Sequence, residues 1–134
     1  MTTTSTTVIG NMAADPELRY LPSGDPAATF TIATNERRYN PQIRNWADGP
    51  TLYLRCNLTG PGAENAAAGL TRGTRVIAHG TLAQRNYTDR HGQTHIVTEL
   101  HVQEIGPTMR FTQVHLTPAV PDQAPAGHDP APVV

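Results

Sequence analysis

Five stretches of the chain either alternate polar and apolar residues with a period of two or are rich in β-branched residues, the signature of strands. They are TTVIGNM (6–12), ATFTIAT (28–34), TLYLRCNL (51–58), TRVIAHGTLAQRNY (74–87) and HIVTELHVQEI (95–105). In the second, Phe30 and Ile32 fall on one side and Thr29, Thr31 and Ala33 on the other. One face of that strand is therefore predicted to be buried and the other left free for contact. In the third, Leu54 points away from its neighbours Tyr53 and Arg55 and is assigned to packing or to a subunit interface. The last two stretches are long and separated only by TDRHGQT (88–94), whose Gly92 can supply the positive φ of a hairpin turn. Together they predict a long, twisted β-arm.

A single segment reads as helical: GAENAAAGL (62–70), Ala-rich, between the third and fourth strands, with Gly73 as its stop. Five strands with one short helix between the third and fourth is the order of the OB-fold. The predicted fold is thus all-β, a five-stranded Greek-key barrel with an extended hairpin arm, an architecture whose open strand face binds single-stranded nucleic acid. The stretch ERRYNPQIRNWADG (36–49) is polar and broken by Pro41 and Gly49, and is predicted to be a long flexible loop. From Thr117 the chain runs TPAVPDQAPAGHDPAPVV, in which nine of eighteen residues are Pro or Ala. Too little apolar surface is left there to offset the entropy of ordering, so residues 1–116 are expected to form the domain and 117–134 a disordered tail.

Composition narrows the function. A length of 134 residues suits one domain with a modest core. The net charge of -1 points to no partner, but residues 37–90 hold eight arginines against three acids. All ten basic residues are Arg, which fits a GC-rich coding bias and equally supplies planar groups that fork onto phosphates and stack on bases. No apolar run approaches the ~18 residues of a membrane span, and the Thr-rich start lacks the order of a signal peptide. A soluble, cytoplasmic, nucleoid-associated protein is expected. Cys56 is the only cysteine and is expected to be reduced and buried. The six histidines, at 79, 91, 95, 101, 115 and 128, follow no zinc-ligand spacing, and no nucleophile elbow, phosphate loop or carboxylate pair is present. No metal, cofactor or catalysis is expected.

The charged setting of Tyr87, with Arg85, Asp89, Arg90 and His91 around it beside a turn, places an aromatic ring where water reaches it. Proteins that hold single strands without reading sequence use such rings: each stacked base contributes about 1–3 kcal/mol, while cations follow the phosphates. Tyr87 is read as a stacking platform on the arm, and Arg19, Arg37, Arg38, Arg55, Arg72, Arg75 and Arg85 as phosphate ligands.

Two longer motifs, VIGNMAADPELRYLPSGDPAATFTIAT (8–34) and LTRGTRVIAHGTLAQRNYTDRHGQ (70–93), resemble the bacterial single-stranded DNA-binding protein family. Its members open on G-N-L-x-x-D-P-E-x-R-Y-x-x-x-G and enter the fourth strand through L-x-x-G-x-x-V-x-x-x-G-x-L. The resemblance covers about residues 7–115, and RCNLTGPGAENAAAGLTRG (55–73) with QEIGPTMRFTQV (103–114) is similar to the actinobacterial branch, where the final strand helps join subunits. The resemblance implies a homotetramer that binds single-stranded DNA in replication, recombination, repair or a specialised process such as transformation or chromosome segregation. It places Tyr53 and Tyr87 where members carry a stacking Trp. Where members carry a further aromatic this chain has Arg38 with Tyr39 beside it, and where they carry Phe or Trp late in the third strand it has Thr59. Trp46, in the 36–49 segment, can compensate in part. Members that serve replication end in an acidic tip, close to Asp-Asp-Asp-Ile-Pro-Phe, that recruits other enzymes. This sequence ends GHDPAPVV, with only Asp122 and Asp129 in its tail, so an auxiliary paralogue without the usual tip partners is expected. An OB-fold RNA binder and a protein-interaction module are the alternative readings.

Overall fold

The computed structural model describes residues 3–119. Its elements are β1 (Ser5–Met12), β2 (Glu17–Tyr20), β3 (Pro26–Asn40), β4 (Asn45–Thr59), α1 (Pro61–Gly69), β5 (Arg75–Thr88) and β6 (Thr94–Pro107). The strands hydrogen-bond in the order β1-β5-β6-β4-β3-β2, and β1 also pairs with β3 through Asn11 with Ala33 and Met12 with Ile32. That second pairing curls the sheet partly closed into the expected OB barrel, with the helix between β4 and β5 and with β2 as a short additional strand.

The period-two pattern fills the barrel. Phe30 and Ile32 of β3, Leu54, Cys56 and Leu58 of β4, Val76 and Ala78 of β5, and Leu100 and Val102 of β6 meet Met12 inside, and Ala63, Ala66 and Leu70 of the helical segment pack onto them. Leu54 is thus a core residue. Cys56 lies wholly inside, and burial, against a weaker opposing hydrogen bond from the Ile32 backbone, pushes its thiol up to about 12. It stays protonated and out of reach of oxidants.

β5 and β6 shift register between His79 and Gly80, a bulge that tightens the curvature. A Cβ at Gly80 would run into the backbone carbonyl of His101, so only glycine lets the strands approach there. Beyond the barrel the same strands continue as the predicted arm, closed by a turn in which Gly92 has φ 80°.

Three expectations are corrected. The 36–49 segment is no flexible loop: β3 and β4 pair through it, from Arg37 with Asp48 to Asn40 with Asn45, as a second long hairpin. Its breakers sit where breakers are tolerated. Pro41 falls in the turn rather than in a strand, and Gly49 at a register shift near Asn35 and Arg37. The turn is held by the Gln42 amide donating to Asn40 Oδ1 at 2.9 Å and by Arg44 adopting φ 52°. The helix predicted over 62–70 spans Pro61–Gly69, but Gly73 is not its stop: it ends where Leu70 turns to an extended conformation to bury its side chain. Gly73 belongs to the following turn, where its amide donates to the Met12 carbonyl at 2.8 Å. Finally, six strands are present rather than five, because ELRY (17–20) pairs along β3.

Of the predicted tail, Thr117–Ala119 carry no regular structure and the remainder lies outside the described residues.

Candidate nucleic-acid interface

Residues paired across a sheet share a face, so the register alone assembles the surface. On the side away from the core, β2 contributes Arg19, opposite Ala27; β3 contributes Thr31 and Ala33; and β4 contributes Arg55 opposite Thr31 and Tyr53 opposite Ala33. Arg55 is level with Glu99 of β6, which pairs with Ala83 of β5, and along the arm Val97 faces Arg85 and His95 faces Tyr87. Tyr53, Arg55, Arg85 and Tyr87 therefore stand on one continuous face, with Arg19 at its far edge.

β4 and β6 run parallel, and each begins at the tip of its hairpin. Both hairpins consequently project from the same end of the sheet. Tyr53 lies between the barrel and the tip of one, and Tyr87 near the tip of the other. Tyr53 is 67 % and Tyr87 43 % exposed, the opposite of what a core role would require. At the tip of the β3–β4 hairpin Tyr39 and Trp46 are cross-strand partners whose rings meet edge-on, centroids 5.8 Å apart, both more than half exposed. Arg37 donates to the Trp46 carbonyl at 3.4 Å and Arg38 stands exposed on the same hairpin.

Glu99 is the one buried charged residue of the described chain, and it sits within this face. Its carboxylate pairs with the half-exposed Arg85 guanidinium and accepts a 2.9 Å hydrogen bond from Asn57 Nδ2. Burial pushes its pKa up, but the hydrogen bonds from Arg85 and Asn57 and the charges of Arg85 and Arg55 outweigh that, holding it below the ordinary carboxylate value. Glu99 is ionised at neutral pH and fixes Arg85 in place, one end of that guanidinium being engaged with protein and the rest facing water.

Two predicted arginines stand apart. Arg75 opens β5, twelve residues and roughly 40 Å of strand from Tyr87, where it donates to Thr108 Oγ1 at 3.1 Å and lies over the Phe111 ring. Arg72 is exposed in the turn before β5, its backbone amide bound to Asp15 at 2.8 Å.

The sequence reading missed Glu99, Asn57 and His95. The alternation in HIVTELH puts His95, Val97 and Glu99 on one side, a visible signal, but which strand lies beside it is set by the parallel β4–β6 pairing and is not local information.

The Single-strand binding protein family model matches residues 3–108. A single-stranded DNA-binding protein of Mycobacterium tuberculosis is 47% identical over 116 residues, covering 87% of this chain and 71% of that one. One from Paenarthrobacter nicotinovorans is 48% identical over 113 residues, 84% of this chain and 66% of the relative. Among solved structures, the small single-stranded DNA-binding protein from Streptomyces coelicolor superposes with a TM-score of 0.71 at 27% identity, over 81% of this chain and 97% of its own.

Proposed function

The chain belongs to the single-strand binding protein family, and on that premise we propose that it coats single-stranded DNA by laying bases on Tyr53 and Tyr87 while arginines follow the phosphates. The observation that carries this reading is the pair of exposed rings on one sheet face, with Arg55 and Arg85 between them and both hairpins projecting from the same end. Arg19, Arg37 and Arg38 extend the cationic track along β2 and the β3–β4 hairpin. Tyr39 and Trp46 offer a further platform at that hairpin's tip. Stacking is indifferent to sequence because every base has a π face. The protein binds and protects its strand and carries out no chemistry on it.

We assign the working state as a homotetramer and the location as the cytoplasm, both supported by the family; no helix among the described residues is long and apolar enough to cross a membrane.

A salt titration of labelled oligo-dT and oligo-U binding tests the reading, with wild type beside the Tyr53→Ala, Tyr87→Ala double variant. Loss of two stacked bases should weaken dT binding by at least about 2 kcal/mol, roughly 30-fold. The logarithm of affinity should fall with that of salt by about 0.7 for each phosphate neutralised. Preference for oligo-U would favour an RNA binder, since the 2′-hydroxyl distinguishes the two. Weak binding to both, unchanged by the substitutions, would mean that the face serves a protein partner.

A further inference from the structure

The arm carries a second ring beside Tyr87. His95 is its cross-strand partner, and the imidazole and phenol stack with centroids 5.0 Å apart and planes 22° from parallel. The imidazole is in turn held at its edge: Nε2 lies 2.7 Å from Asp89 Oδ2. Asp89 is itself fixed, because its other carboxylate oxygen accepts the backbone amides of His91 and Gln93, both at 2.9 Å, within the turn that closes the hairpin. A carboxylate anchored by two backbone donors cannot swing to follow the ring; the ring must follow the carboxylate. The turn, through Asp89, thus sets the plane of His95, and His95 sets that of Tyr87.

Resting on the reading that Tyr87 stacks a base, we propose that His95 is a second DNA-contacting ring, positioned by Asp89, and that it takes up a proton as the strand binds. The imidazole side chain retains 43% exposure, so the stack is open at the histidine as well as at the tyrosine. On the faces around it the charged and titratable groups are few. Asp89 touches it, Arg85 lies 5.9 Å from the Tyr87 ring centre and is paired to Glu99, and Arg90 and His91 are exposed in the turn. In the free protein the Asp89 carboxylate is the one anion touching the imidazole among the described residues. A bound phosphate chain adds a second anion beside it, which favours the protonated ring in the complex. By linkage, whatever makes DNA favour the protonated ring makes protonation favour DNA, so affinity strengthens as pH falls through the histidine range.

The test is oligo-dT binding at fixed salt from pH 5.5 to 8.5 for wild type, His95→Phe and Asp89→Asn, each first shown by circular dichroism to be folded across that range. Phe keeps a ring and cannot titrate; Asn keeps an acceptor for the turn amides and loses the charge. Wild type should bind up to ~10-fold tighter at the acid end, the ratio given by a tenfold gain in proton affinity on binding. Its salt dependence should steepen there by about 0.7. His95→Phe, whatever its affinity at pH 8.5, should lose most of the acid gain, leaving only what the five other histidines contribute. Asp89→Asn should reduce the acid gain, because the ring loses the anchored carboxylate that holds its edge. A flat wild-type profile, or a His95→Phe profile that tracks wild type, overturns the inference. Tight binding with a flat profile sinks this proposal alone, whereas weak binding indifferent to loss of Tyr53 and Tyr87 sinks the function it rests on.

Discussion

Replacing Glu99 by Gln should lower stability and raise DNA affinity in the same molecule. The substitution keeps the shape of a buried side chain and an acceptor for Asn57 Nδ2, and removes the negative charge that pairs with Arg85. Breaking a fully buried pair costs about 3–5 kcal/mol. Here the Arg85 side chain is 53% exposed and goes back to water, and Gln still hydrogen-bonds, so the loss should be nearer 1 kcal/mol. On the binding side, a phosphate held by Arg85 would stand about 8 Å from the Glu99 carboxylate. At an effective dielectric of about 40, that repulsion is worth roughly 1 kcal/mol, a fivefold gain in affinity when it is removed. Urea unfolding followed by tryptophan fluorescence reads the first quantity, and a salt titration of fluorescent oligo-dT reads the second, with a slope steeper by up to about 0.7. The pH dependence has a determined sign. The Glu99 pKa is held below its ordinary 4.5, so its contribution is complete above that value and is lost as pH falls through the lower folded-state pKa. Wild type and Glu99→Gln should therefore converge in stability as pH falls below 4.5 and through that depressed value. A folded Glu99→Gln protein with weaker DNA binding would refute the reasoning, since it would show that the charge of Glu99 is needed to place Arg85 and does not oppose the strand.

Other consequences can be checked more simply. Gly80→Ala should cost about 1–3 kcal/mol or more in urea unfolding, because the new methyl meets the His101 backbone carbonyl, which has no rotamer to escape into. Cys56 should resist thiol reagents in the native protein and react at the rate of global unfolding, and no disulfide-linked dimer should appear on a non-reducing gel after mild oxidation. Trp46→Phe should weaken oligo-dT binding by less than the Tyr53, Tyr87 double variant, because Tyr39 remains beside it as a second ring.

Most of the barrel was legible because it is written locally. Phe30 and Ile32 against Thr29, Thr31 and Ala33 fixes which side of β3 is buried, and the fourth and fifth apolar runs around Gly92 define the arm. In the 36–49 segment polarity and breakers mark the absence of burial, not the absence of a strand. A hairpin that projects from the barrel has no apolar face to show, and its register is held by the Gln42 to Asn40 turn bond and by Thr51 Oγ1 donating to Asn35 Oδ1 at 2.7 Å. The candidate rings were visible as residue types, whereas their company was not. Nothing near Tyr87 in sequence indicates that Glu99 reaches Asn57, forty-two positions away, across a parallel pair.

That company explains how a chain with net charge -1 can hold a polyanion. Arg85 is already matched by Glu99 and Asp89 is occupied by its turn and by His95, so the acids nearest the rings are satisfied inside the protein and present little unpaired charge to an approaching strand. What faces outward is π surface, from Tyr53 and Tyr87 on the sheet to Tyr39 and Trp46 on the neighbouring hairpin, with arginines between. Counterion release from a few arginines steers and holds the backbone but fades with salt. Stacking does not depend on ionic strength in the same way. On the proposed reading the rings would supply the part of the affinity that survives at high salt, while Asp89 holds His95 against Tyr87 and the pairing of Glu99 with Arg85 limits how strongly it repels the strand.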